Sequence, residues 1–146
     1  TGSGEGIYAE DITEWNDYRA EPKMSKYFRN MNTYHISYAT NGPHVHGGSD
    51  YVRARRYNPD LGRLSGSEMT PDYSDTGLFK PGVTYRMTII KNDYEIIMKV
   101  DGPEAPKYFH FINDTHDAIT NGRIGLRQMF TRSSFYENFR VSEKVD

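Results

Sequence analysis

The pattern of apolar and polar positions changes partway along this chain. Residues 11–30 show only weak helical spacing with Pro22 in their middle, which predicts irregular structure with one helical turn. From Thr33 the period becomes two. Thr33–Thr40 (TYHISYAT) predicts a strand that stops at the turn signal Asn41-Gly42-Pro43, and Tyr51–Asn58 (YVRARRYN) predicts a second, closed by Pro59. Residues 59–82 are rich in Pro, Gly, Ser and Asp and read as a long loop, a feature more often functional or mobile than idle in a compact domain. Val83–Lys91 and Tyr94–Asp101 flank Asn92-Asp93 and predict a hairpin. Lys107–Asn113, Arg123–Phe130 and Ser134–Ser142 complete a set of short strands with almost no helix. The fold class expected is therefore all-β, an antiparallel β-sandwich or jelly roll over residues 31–146, preceded by an irregular segment over 1–30. Met87, Ile89, Ile97, Ile124, Leu126, Phe130, Phe139 and Val141 fit its core positions.

Composition narrows the function classes. The chain has 146 residues, enough for one domain with a real core, and no apolar run approaches a membrane span. Lys plus Arg is 18 against 20 for Asp plus Glu, and a net charge of −2 argues against a nucleic-acid coat. The absence of cysteine excludes disulfides and thiolate metal sites. Charge is uneven: Glu5, Glu10, Asp11, Glu14, Asp17 and Glu21 stand against Arg19, so residues 1–21 carry −5 and the remainder +3. Aromatics make up 14% of the chain, with 12 Tyr. Tyr lines a wet groove as well as a core, and it is also a good strand former.

The strand YVRARRYN concentrates the candidate chemistry. Alternation puts Tyr51, Arg53, Arg55 and Tyr57 on one face, and Val52, Ala54, Arg56 and Asn58 on the other. Two guanidiniums on one face repel unless an acid or an anionic ligand sits across from them. Arg grips carboxylates and sulfates in bidentate fashion, and Tyr stacks on sugar rings, so the face suits an acidic glycan. The plainer alternative is an exposed strand whose arginines pair with the acidic N-terminal segment. In TYHISYAT, Tyr34, Ile36 and Tyr38 alternate with His35, Ser37 and Ala39; small Ser37 and Ala39 would leave room beside His35 for a ligand, while Ile36 marks the other set as core. The connection NGPHVHGGSD sets His44 and His46 two apart. An H-x-H pair can ligate a metal but has no evident third ligand, and neutral His is a ready general base.

Other residues have simpler readings. No alternating acid pattern supplies the paired carboxylates of a glycosidase; Glu137 sits on a core-directed or rim-like face, and Glu10, Asp11 and Glu14 lie in irregular chain. Trp15 reads as a plug over the sheet or a sugar platform, and His110, between Phe109 and Phe111, as a structural strand histidine. Around His116, Asp114 and Asp117 offer oxygens to calcium, or form a solvated turn.

The run YRMTIIKNDYEIIMKVDG, then GRIGLRQM, then FYENFRV resembles the concanavalin A-like (laminin-G-like) jelly rolls that bacteria encode among polysaccharide-degrading proteins. YHISY and YVRARRYN resemble more particularly the uncharacterised families of that group found in polysaccharide-utilisation gene clusters, and the likeness covers about residues 27–143. It implies further N-terminal strands that residues 1–30 do not supply, so the expectation is either a fragment of a longer protein or a second copy or other chain that covers a sheet edge.

The resemblance and the side-chain inventory together imply a protein of the secreted or periplasmic space that acts on an anionic, uronate-containing polysaccharide or oligosaccharide. β-Elimination is the leading reaction: Arg53 and Arg55 bind the carboxylate, His44 or His46 takes the proton, and Tyr57 or Tyr34 protonates the leaving oxygen. Tyr51, His35, Arg127 and Gln128 are expected to contact substrate. No cofactor, membrane or nucleic acid is implied. The competing classes are a non-catalytic carbohydrate-binding module, which needs the same groove and no tuned groups, and an interaction domain of a larger assembly.

Overall fold

The structure, a computed structural model, describes residues 20, 23–40, 48–128 and 133–143. A five-residue helix α1 (Met24–Phe28) precedes six strands: β1 (Thr33–Ala39), β2 (Tyr51–Tyr57), β3 (Tyr73–Ser74), β4 (Arg86–Asn92), β5 (Glu95–Asp101) and β6 (Lys107–Ile112). They form two antiparallel three-stranded sheets, ordered β1-β2-β3 and β4-β5-β6. Among the described residues, no helix is long and apolar enough to cross a membrane.

One apolar cluster joins the sheets. Val52 and Ala54 from β2 meet Ile96, Met98 and Val100 from β5 and Phe109 and Phe111 from β6, with Met69 and Leu78 filling between. Tyr34, Ile36 and Tyr38 of β1 pack against the same cluster, which decides the ambiguous alternation of that strand: the tyrosine set faces inward and the His35 set outward. Tyr73 stands edge-on to Phe109 and Phe111, with ring centroids 5.0 and 5.4 Å away.

The expected long loop holds the two sheets together. After a 3-10 turn (Pro59–Leu61), the chain returns antiparallel along β2: the Arg56 amide donates to Ser67 O at 2.7 Å and the Met69 amide to Ala54 O at 3.0 Å. At Thr70 it turns aside to exchange two backbone bonds with Ile112 of β6, then rejoins β2 with Tyr73 opposite Val52. Three steps along β2, from Arg55 to Val52, are matched by five on the partner, from Glu68 to Tyr73, so the partner carries two extra residues at this bulge. Buried Asp50 fixes the start of β2, its carboxylate accepting the amides of Thr76 and Gly77.

Several expectations are corrected. The hairpin turn is Asp93-Tyr94, one residue later than Asn92-Asp93, because Asn92 still pairs with Glu95. Ile97 is on the outward face of β5 and the core uses Ile96, Met98 and Val100; Met87 packs against that core, but Ile89, on the edge strand, is 53% exposed. The described residues of the last two expected strands, 123–128 and 134–142, form no strand. Ile124, Leu126, Phe139 and Val141 are all exposed there, and Phe130 lies outside the described residues. These segments have the alternation of a strand but pair with no sheet edge among the described residues, and an unpaired strand has no ladder to hold it.

Gly102 faces the Tyr85 ring, where an added Cβ would lie 2.8 Å from two ring carbons. That ring is not free to yield, since it packs on Phe79 and its hydroxyl accepts the Lys80 amide at 3.1 Å. Gly102→Ala is expected to destabilise the fold by about 1–3 kcal/mol, read as a lower urea midpoint at unchanged slope.

Candidate functional site

The outward face of the β1–β2 pair is built by register. Thr33, His35, Ser37 and Ala39 stand opposite Tyr57, Arg55, Arg53 and Tyr51 in that order, so alternation puts all eight on one face. Glu68, opposite Arg55, and Asp72, one residue before Tyr73, bring carboxylates to the same face. The two arginines are thus balanced by acids from the long loop, the charge compensation the strand required. The acidic N-terminal segment is not the source of either acid.

At one end of the face the groups are sealed. Tyr57 is 1% exposed, its ring stacked on His35 at 5.0 Å and met edge-on by Phe28 of α1 at 6.4 Å. The Tyr57 hydroxyl lies 3.1 Å from His35 Nδ1. Burial, then the nearby charges of Arg127 and Arg55, push His35 down to about 4, so the imidazole is neutral at neutral pH. Burial pushes Tyr57 up to about 12, against the opposing pull of Arg55 and Arg127, so the phenol keeps its proton. His35 Nδ1 is the hydroxyl's hydrogen-bond partner among the described residues. The phenol therefore donates to Nδ1, and the imidazole proton sits on Nε2.

Arg127 reaches this end from the C-terminal segment. Its guanidinium carbon lies 3.3 Å from the centroid of the Tyr27 ring, and its Nη1 is 3.6 Å from Met24 Sδ. Helix α1 thus supplies Met24, Tyr27 and Phe28 to the site, none of which its weak helical spacing singled out.

Arg55 is closed off. Its Nη1 donates to Glu68 Oε1 at 2.6 Å, with Leu64 O and Ser67 Oγ each at 3.4 Å, and its side chain is 17% exposed. Partial burial raises the Glu68 pKa, but hydrogen bonds from Arg55 and from the amides of Glu68 and Gly66 outweigh it and hold the carboxyl below its ordinary value.

The other end is open. Arg53 lies over the Tyr51 ring at 4.5 Å, and its side chain is 36% exposed. Its Nε is 3.3 Å from Asp72 Oδ2, an ion-pair distance, yet the N–H is not aimed at the carboxylate and makes no hydrogen bond. Across from Arg53 and Tyr51 stand the small side chains Ser37 and Ala39, so β1 places nothing bulky beside the guanidinium.

The remaining expected site residues separate from this face. Tyr34 points to the opposite side of the sheet, donates to Asp93 O at 2.7 Å and accepts from Asn113 Nδ2 at 3.1 Å. Gln128 is exposed. His44, His46 and Trp15 lie outside the described residues, the two histidines on the connection between Ala39 and Tyr51. In the turn considered for calcium, His116 Nε2 is 2.9 Å from Gly66 O, and the Asp117 carbonyl accepts from Arg56 Nε at 3.1 Å. No three His, Asp or Glu side chains group as a metal-ligand set among the described residues. Glu68 and Asp72 were missed because their signal was indirect: two arginines on one face demand acids without saying which.

Comparison of the chain with protein-family models, with curated proteins and with solved structures finds no match.

His35 sets a pH dependence of stability. Its folded pKa is depressed below the ordinary 6.5, so the unfolded chain binds the extra proton between about 6.5 and 4 and stability falls as pH falls through that window. The loss is expected to reach about 3 kcal/mol by the lower end. Glu68, also depressed, adds a loss of the same sign at more acid pH. Urea unfolding of His35→Gln at pH 7, 5.5 and 4 (roughly the window's span) should lack the His35 component and keep that of Glu68.

Proposed function

We propose that this chain recognises an anionic, uronate-containing polysaccharide through the Tyr51–Arg53 end of the β1–β2 face. The observation that carries the reading is the state of Arg53: a partly exposed side chain whose guanidinium lies over the Tyr51 ring and whose Nε–H, itself shielded from solvent, makes no hydrogen bond to the carboxylate beside it. Such a group takes a carboxylate in bidentate fashion, and the adjoining phenol ring offers a stacking surface to a sugar. The resemblance to concanavalin A-like jelly rolls of bacterial polysaccharide utilisation agrees with this chemistry. On it rest the finer proposals of a jelly-roll sandwich and of a secreted or periplasmic location.

A second reading, β-elimination at the same face, draws on the partly exposed Arg53, whose fixed charge beside a bound carboxylate would stabilise an enolate. In that reading His44 or His46 takes the proton α to the carboxylate. Tyr57 is too deeply buried, and Tyr34 on the wrong side of the sheet, to protonate a leaving oxygen. Among the described candidates this leaves partly exposed Tyr51 as the phenol that could act.

Calorimetric titration with polygalacturonate oligosaccharides should show binding that Arg53→Ala weakens about tenfold or more, the value of a lost charge-assisted pair. A neutral glucan should show no such dependence on Arg53. Equal weakening for both sugars would remove Arg53 as the carboxylate receptor. Elimination is read as growing ultraviolet absorbance of an unsaturated uronate product. Its loss in the His44→Ala/His46→Ala double variant with binding retained is the expected outcome for a lyase, and an unchanged rate removes both histidines from the chemistry.

A further inference from the structure

The two acids on this face do different work. Glu68 grips Arg55 with a direct 2.6 Å hydrogen bond while its second oxygen accepts the Gly66 amide at 2.7 Å, and Arg55 is largely covered. Asp72 merely stands near Arg53: the 3.3 Å approach makes no hydrogen bond, and the side chains are 36% and 50% exposed. An exposed, poorly aimed ion pair is weak, and any anion with better geometry competes with it.

We propose that Asp72 is a built-in counter-ion, which holds the anion position at Arg53 in the free protein and gives way when an anionic group binds, while Arg55 stays committed to Glu68 and receives no ligand. The backbone gives Asp72 its place. The two extra residues between Glu68 and Tyr73 bring the chain back into register one position before Tyr73, so Asp72 falls beside Arg53 and Tyr73 turns into the core. A displaced Asp72 side chain would find water at once, since it is already half exposed. No other part of the fold need move: Tyr73 stays fixed by Phe109, Phe111 and the hydrogen bonds between its hydroxyl and the His110 backbone. The consequence is selection by charge density. A weakly anionic ligand does not repay the displacement of Asp72, whereas a carboxylate or sulfate that pairs bidentately with Arg53 does.

The inference takes its ligand class from the function proposed above, but it is testable without a glycan. Inorganic sulfate, followed by thermal shift at low ionic strength, and polygalacturonate oligosaccharides, followed by calorimetry, are titrated into the wild type, Asp72→Asn, Glu68→Gln and Asp72→Asn/Arg53→Gln. Asp72→Asn is expected to raise affinity for both anions about threefold or more, an advantage that shrinks with added salt. The double variant should lose that gain, and Glu68→Gln should leave affinity within about twofold of wild type. Asp72→Ser, which also removes the charge, serves as a second variant should the first fail to fold. Unchanged affinity on removing Asp72, or an equal gain on removing Glu68, overturns the proposal. A gain for sulfate with no polygalacturonate binding in any variant keeps the counter-ion and sinks the glycan reading. Polygalacturonate binding indifferent to Asp72 does the reverse.

Discussion

Strand β2 has two faces with opposite needs, and the segment 67–74 that returns along it meets both. Val52 and Ala54 must leave water, while Arg53 and Arg55 cannot be buried without partners. The returning chain sends Met69 and Tyr73 to the apolar side and Glu68 and Asp72 to the cationic side. It also spends one residue, Thr70, on the edge of β6. That detour ties the β1-β2-β3 sheet to the β4-β5-β6 sheet by backbone hydrogen bonds as well as by the shared core. Without the returning segment, the core would lose Met69 and Tyr73 and the two arginines their carboxylates.

Burial then grades the outward face from closed to open. Helix α1 and Arg127 close the Tyr57 end, where burial holds both His35 and Tyr57 neutral, the neighbouring guanidiniums adding to the effect on His35 and opposing it on Tyr57. The Tyr51–Arg53 end has no such cover from β1. The two arginines are chemically identical and only two residues apart, yet one is spent on a structural hydrogen bond and the other keeps a donor unused. The difference is one of aim rather than charge: both have a carboxylate nearby, but only Glu68 is held in line, by a second bond from the Gly66 amide.

The same logic of partners explains the C-terminal third. Residues 123–128 and 134–142 carry alternating apolar side chains, and Ile124, Leu126, Phe139 and Val141 remain exposed. Alternation says that a segment has a face to bury. It does not name the edge that will accept it, because ladder pairing depends on residues far away in sequence. Strand β4 illustrates the cost of an edge, since Ile89 lies on the core-directed face and is still half in water.

Local pattern was sufficient for β1, β2, the hairpin and β6, whose limits differ by at most a few residues from those read in the chain. It was sufficient as well to place Tyr51, Arg53, Arg55 and Tyr57 on one face, since side-chain alternation is a property of the extended backbone itself. The assignment of His35 to that face needed the core, because Tyr34, Ile36 and Tyr38 could pack inward only once a second sheet lay against them. The separation of Arg53 from Arg55 needed more still. It follows from the two-residue bulge opposite them, and the register of a bulge is set by pairing between distant segments, which no local run of residues encodes.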